Sequence, residues 1–266
     1  AGVNFYMDES DRELKRRLSE LPIRFIMVHG NHEERPFCIE SYVEREWHGG
    51  RVYVEEEFPD LLFAKDGEIY DLNGKKGIAI GGAYSIDKEY RLRFGLPWFE
   101  TEQPSKEIKQ HVEEQLKKAE WAVDYVFSHT APRSMEPTDL FLKSSRIEKA
   151  DKSTEDWLEQ IRKKLSYQKW YFGHYHENRM YQNAELLFEE IKELGAEDFL
   201  QCIGRPKYQR GECVDFIWNT GKEQIKLYGK IVGVDSYGNL FQTREVSYDI
   251  KALDVCYKYI KESEII

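Results

Sequence analysis

Asn31 and His32 stand together just past an apolar run in IRFIMVHGNHEERP, and two later runs end in the same manner: VDYVFSH closes on His129, and KWYFGHYH on His174 and His176. Asparagine offers a neutral carbonyl oxygen and histidine a neutral imidazole nitrogen, a donor set suited to Mn²⁺, Fe or Zn²⁺ rather than Ca²⁺. His174 and His176 lie two positions apart, so in a turn they can reach two neighbouring ions. Two dications roughly 3.5–4 Å apart clamp a phosphoryl group and lower the pKa of a bridging water, leaving another histidine to protonate the departing oxygen. Taken singly, His129 reads as a hydrogen-bonded histidine at a strand end and Asn31 as a helix cap. His29, His48 and His111 fall in no such pattern and read as structural or exposed.

These residues need elements that bring them together. IRFIMVH is β-branched, seven residues long and stopped by Gly30, which predicts a buried strand over 23–29. A charged helical segment precedes it, and Asn73-Gly74 predicts a two-residue hairpin turn. Ile108, Val112, Leu116 and Ala119 recur at helical spacing before the second tipped strand. Ser153-x-x-Asp156 predicts a capping box on a helix whose apolar stripe is Trp157, Ile161 and Leu165. Side chains at the ends of such strands converge on one rim of a sheet, so the expected partners of Asn31 and His32 are His129, His174 and His176.

The chain has 266 residues and a net charge of −10, with 41% hydrophobic residues. Its acidity sits before residue 205, and it argues against non-specific nucleic-acid binding, which draws on Lys and Arg. No apolar run approaches the ~18 residues of a membrane span, so no membrane partner is expected. The four cysteines have no Cys-x-x-Cys spacing, which argues against a zinc ribbon or disulfide framework and for a cytoplasmic location.

GNHE (30–33), SHTAP (128–132) and GHYH (173–176) resemble, in order and spacing, the motifs of the calcineurin-like metallophosphoesterase superfamily. The resemblance spans about residues 1–196 and implies an α/β fold, a four-layer α-β-β-α sandwich. It implies two divalent metal ions (Mn, Fe or Zn), Asn31, His129 and His174 binding one and His176 the other. His32 would be the general acid, poised by an acidic neighbour, and a metal-bound hydroxide the nucleophile. Members of the superfamily also carry an Asp-x-His strand end and a Gly-Asp whose aspartate bridges both metals. Neither motif is present, and AGVNFY looks like the segment directly after such a Gly-Asp, so two further strands are expected upstream. Without their carboxylates, two dications face neutral ligands and affinity is expected to fall.

The expected reaction is hydrolysis of a phosphomonoester on a phosphorylated substrate, a protein for an enzyme of the protein Ser/Thr phosphatase kind. The alternatives are a nucleotide or nucleic-acid phosphodiesterase and a degenerate, non-catalytic binding module. The loop GGAYSIDKEYRLRFG, residues 81–95, is read either as a solvated charged loop or as a source of substrate contacts, with Tyr84 and Arg91, joined by Arg35, as the candidates. Guanidinium is the fork-shaped donor that suits phosphate oxygens. Residues 193–200 read as a linker. Residues 205–266 change to short glycine-punctuated strands that resemble a small SH3-like β-barrel. That barrel is expected either to bind a peptide or partner protein through Tyr237, Phe241 and Tyr248, or to use these aromatics in its core.

Overall fold

The Asp8 carboxylate accepts the Ser10 N–H at 2.8 Å and starts the first helix, α1 (Glu9–Ser19). The computed structural model that shows this describes residues 2–141, 149–192, 194, 206–221, 223–235 and 245–266. The chain divides into two compact units, Ala1–Glu190 and Ile191–Ile266. Of the expected linker, only Leu194 lies within the described residues.

In the first unit, β1 (Phe25–Met27) runs parallel to β4 (Leu61–Ala64). β3 (Gly50–Glu55) and β2 (Tyr42–Trp47) continue this sheet antiparallel, in the order β1-β4-β3-β2. The second sheet is mixed. β5 (Ile69–Leu72) and β6 (Lys75–Ile80) form its hairpin, with positive φ at both Asn73 and Gly74, as this turn requires. Then β6, β7 (Tyr125–Ser128), β8 (Lys169–Phe172) and β10 (Ala184–Leu186) lie parallel in that order, and β9 (Arg179–Met180) closes the far edge.

Helices cover these sheets because each offers one apolar side. Leu18 of α1 joins Met27, Leu61 and Phe63 on one face of the first sheet. Val52, Val54 and Leu62 pack with Tyr70 and Ala79 of the second sheet. On the other face of the second sheet, Ile78, Ile80, Val126 and Trp170 pack against Val112 and Leu116 of α3 (Lys106–Lys118) and Leu158 and Ile161 of α4 (Ser153–Lys164).

Two local expectations need correction. β1 is only three residues long, because Val28–Gly30 leave the ladder toward the second sheet, where the His29 carbonyl accepts the Gly82 N–H at 2.9 Å. The capping box does not form either. Ser153 is already the first helical residue, and Asp151 accepts its N–H at 2.9 Å instead.

The second unit is a four-stranded antiparallel sheet, β11 (Cys213–Asn219), β12 (Gln224–Asp235), β13 (Ser247–Ala252) and β14 (Val255–Lys261). Its end returns to its beginning, with an antiparallel bridge from Ile265 to Phe216. Tyr248 is 1% exposed in this core, and its hydroxyl donates to Glu262 at 2.6 Å, so it offers no binding face. Tyr237 and Phe241 lie outside the described residues. Among the described residues, no helix is long and apolar enough to cross a membrane.

Candidate functional site

The four parallel strands of the second sheet end level. Ile80, Ser128 and Phe172 are register partners across β6, β7 and β8, and Phe172 pairs with Leu186 of β10. The residues just past each strand therefore emerge at one edge. Backbone hydrogen bonds extend past the ladder: the His129 N–H donates to the Ile80 carbonyl at 3.0 Å, and the Gly173 N–H to the His129 carbonyl at 3.1 Å. Gly82 has φ +90°, and a Cβ there would sit 2.4 Å from the Glu102 carbonyl oxygen, so this close approach needs glycine.

The GNHE turn is held from below by its own glutamate. Glu33 is fully buried, and its carboxylate accepts the Gly30 N–H at 2.7 Å and the Gly2 N–H at 2.7 Å. This fixes Asn31 and His32. The Asn31 amide donates to Ser85 Oγ at 2.9 Å, which leaves Oδ1 as the acceptor for His129 Nε2, also at 2.9 Å. The His129 and His174 rings stand edge-to-face with centroids 5.0 Å apart. His176 stacks on Phe188 at 4.9 Å and lies close enough to contribute to the lowered pKa of His32 and of His174.

Burial sets the charge state. It holds the His129 imidazole well below the ordinary histidine range, with His174 adding to the effect. Burial also lowers His174 to about 3, helped by Lys152. Both rings are therefore neutral at pH 7, the state in which imidazole can ligate a metal.

Arg91 reaches His32. Its Nη2 donates to His32 Nδ1 at 3.3 Å, which leaves the ring proton on Nε2, 3.6 Å from Asp87 Oδ1. Asp87 also accepts Arg91 Nε–H at 2.7 Å. Burial and the Arg91 charge lower the His32 pKa, and Asp87 opposes them. Arg35, the other arginine expected to contact substrate, is enclosed. Its side chain is 2% exposed, paired with Asp66 and donating to the Thr101 carbonyl at 2.7 Å, so its guanidinium is committed to the interior. Tyr84 is half-buried beside Ser85, without a hydrogen bond to Asn31 or the histidines.

A second layer supports the histidine turn. The Tyr175 hydroxyl lies 3.0 Å from Thr130 Oγ1 and donates to Glu136 at 3.2 Å, while Thr130 donates to Glu155 at 2.9 Å. This ties the residue after His129 to the residue between His174 and His176. Those two histidines have φ of 72° and 52°, so the turn is left-handed at both.

The donors Asn31, His129 and His174 suit a borderline dication by type. Negative charge is what they lack: among the described residues, no three His, Cys, Asp or Glu side chains are arranged to hold a metal ion. Sequence reasoning missed Ser85 and Asp87, although both lie in the loop it singled out. It also missed Thr130, which stands within the quoted SHTAP motif, and Phe188, for which composition and spacing carry no signal. No protein-family model matches the chain, and the comparisons with curated proteins and with solved structures found no match.

Proposed function

We propose that the chain is a metal-dependent phosphoesterase that hydrolyses a phosphomonoester. The observation that carries this is the convergence of Asn31, His129 and His174, from three separate strand ends, with His32 and Arg91 beside them. Asn31, His129 and His174 would hold one dication and His176 a second. A bound dication would polarise a phosphoryl oxygen and make a water more acidic. Arg91 binds the phosphoryl oxygens. When a phosphoryl dianion draws the guanidinium from Nδ1, that nitrogen is freed to take up a second proton from solvent, the dianion favours the resulting imidazolium, and the ring passes one proton to the leaving oxygen and returns to neutral imidazole.

The packing order of helix, two sheets and helices supports a four-layer α-β-β-α sandwich, and the Phe216–Ile265 bridge supports a small SH3-like barrel. Exposed free thiols at Cys38, Cys213 and Cys256 support a reducing, cytoplasmic setting. A second reading, a non-catalytic binding module, is favoured by the neutral donor set, in which Asn31 and His129 satisfy one another. Metal analysis and turnover of p-nitrophenyl phosphate with Mn²⁺, Fe²⁺ or Zn²⁺ separate the two. Bound metal with turnover supports the enzyme, and neither supports the module.

A further inference from the structure

Large apolar side chains stand open to solvent beside the histidine cluster. Phe188, stacked on His176, is 50% exposed. Phe5 lies 6.3 Å from His32 with the Arg91 guanidinium 5.3 Å over its ring. The short helix α2 (Lys88–Phe94) buries none of its residues. Arg91 turns toward His32, yet Tyr90, Leu92 and Phe94 are 46%, 55% and 59% exposed, with the Tyr90 and Phe94 rings 4.6 Å apart. Tyr90 and Phe94 lie one helical turn apart, and Phe94 is one turn from the Arg91 that faces His32, so their exposed rings border the cluster; exposed aromatic surface of this kind marks a contact site, because its hydration is unfavourable.

We infer that this rim selects an aryl phosphate carried on a polypeptide, that is, a phosphotyrosine side chain and the residues flanking it. This rests on the phosphoesterase reading above. Charge complementarity sets the direction: the phosphoryl dianion goes to Arg91 and the histidines, so the ester's organic part must lie against the aromatic border. Phe5 and Phe188 offer ring faces or edges to a planar leaving group, a preference that an aliphatic phosphoserine cannot satisfy. The paired rings of Tyr90 and Phe94 add more surface than one phenyl group can cover, so they take the neighbouring peptide residues.

The test uses the full chain and starts without turnover. Phenylphosphonate and methylphosphonate differ only in the ring, and calorimetry should find the phenyl compound bound about tenfold tighter, with Phe188→Ala removing most of that difference. For turnover, a phosphotyrosine peptide should show a KM about tenfold below that of the phosphoserine peptide of identical flanks. Phe94→Ala should raise the phosphotyrosine-peptide KM and leave the KM for free phenyl phosphate unchanged. Equal affinity for the two phosphonates overturns the inference and leaves the phosphoesterase reading standing. Ring preference with no advantage of peptide over phenyl phosphate overturns the polypeptide part. Binding of neither phosphonate, together with no hydrolysis of any ester, overturns the phosphoesterase reading itself.

Discussion

Asn31 Oδ1 and His129 Nε2 meet at 2.9 Å across 98 positions of sequence. Each occupies the other's functional atom, so the pair couples one strand tip to another. Asn31→Asp places a carboxylate against His129 and should raise its imidazole pKa by about 1–3 units, read by NMR titration. The added charge should also increase Zn²⁺ retention on dialysis; unchanged retention would argue against Asn31 as a ligand.

Arg91 is the second cause, after burial, of the low His32 pKa. Arg91→Met should therefore move the His32 titration upward. It should also raise the KM for a phosphomonoester by about 10–100-fold, the loss expected for one charged hydrogen bond. A raised pKa with unchanged KM would keep Arg91 as a neighbour of His32 and remove it from substrate binding.

His32→Ala should lower kcat by about 10²–10⁴ with metal content unchanged, the usual range for a general acid. Metal content is the control. If it falls with activity, His32 holds metal instead of moving a proton.

Arg35 and Arg91 should separate by stability. Arg35→Met leaves Asp66, 11% exposed, without its cation, and should cost about 3–5 kcal/mol in a urea melt. Arg91→Met should cost less, because its partner Asp87 is 36% exposed and keeps access to water when the cation is lost.

Glu159 gives a pH test away from the site. Hydrogen bonds from Arg162, then from Ser134, lower its pKa to about 2. A carboxylate depressed in the folded state stabilises the fold above its ordinary pKa of 4.5, and that contribution fades as pH falls toward 2. Glu159→Gln should flatten this acid limb by about 1 kcal/mol, after screening at the partly exposed Arg162. An unchanged limb between pH 5 and 2 would show that the pair contributes nothing.

The strand tips were legible because an apolar run closing on asparagine or histidine is a local signal, and so was the Asn73-Gly74 turn. Parallel pairing of β6, β7 and β8 then makes local tips into a shared edge, which explains why His129 and His174 could be grouped from sequence. The arginines were not separable that way. Arg35 and Arg91 both follow a candidate motif, and only the fold brings Asp66 to the first and His32 to the second. Phe188 was invisible for the same reason, since nothing in its neighbours in sequence shows that β10 ends beside β8.

The two left-handed histidines carry a consequence for anyone improving this protein. Non-glycine residues cost roughly 1–2 kcal/mol in that conformation, and glycine at position 174 or 176 would relieve part of it. A thermal-shift screen over this turn would therefore promote the very variants that have discarded an imidazole. Melting temperature and competence are set against each other at these positions, and selection on heat resistance alone would evolve the chain toward a sturdier, inert scaffold.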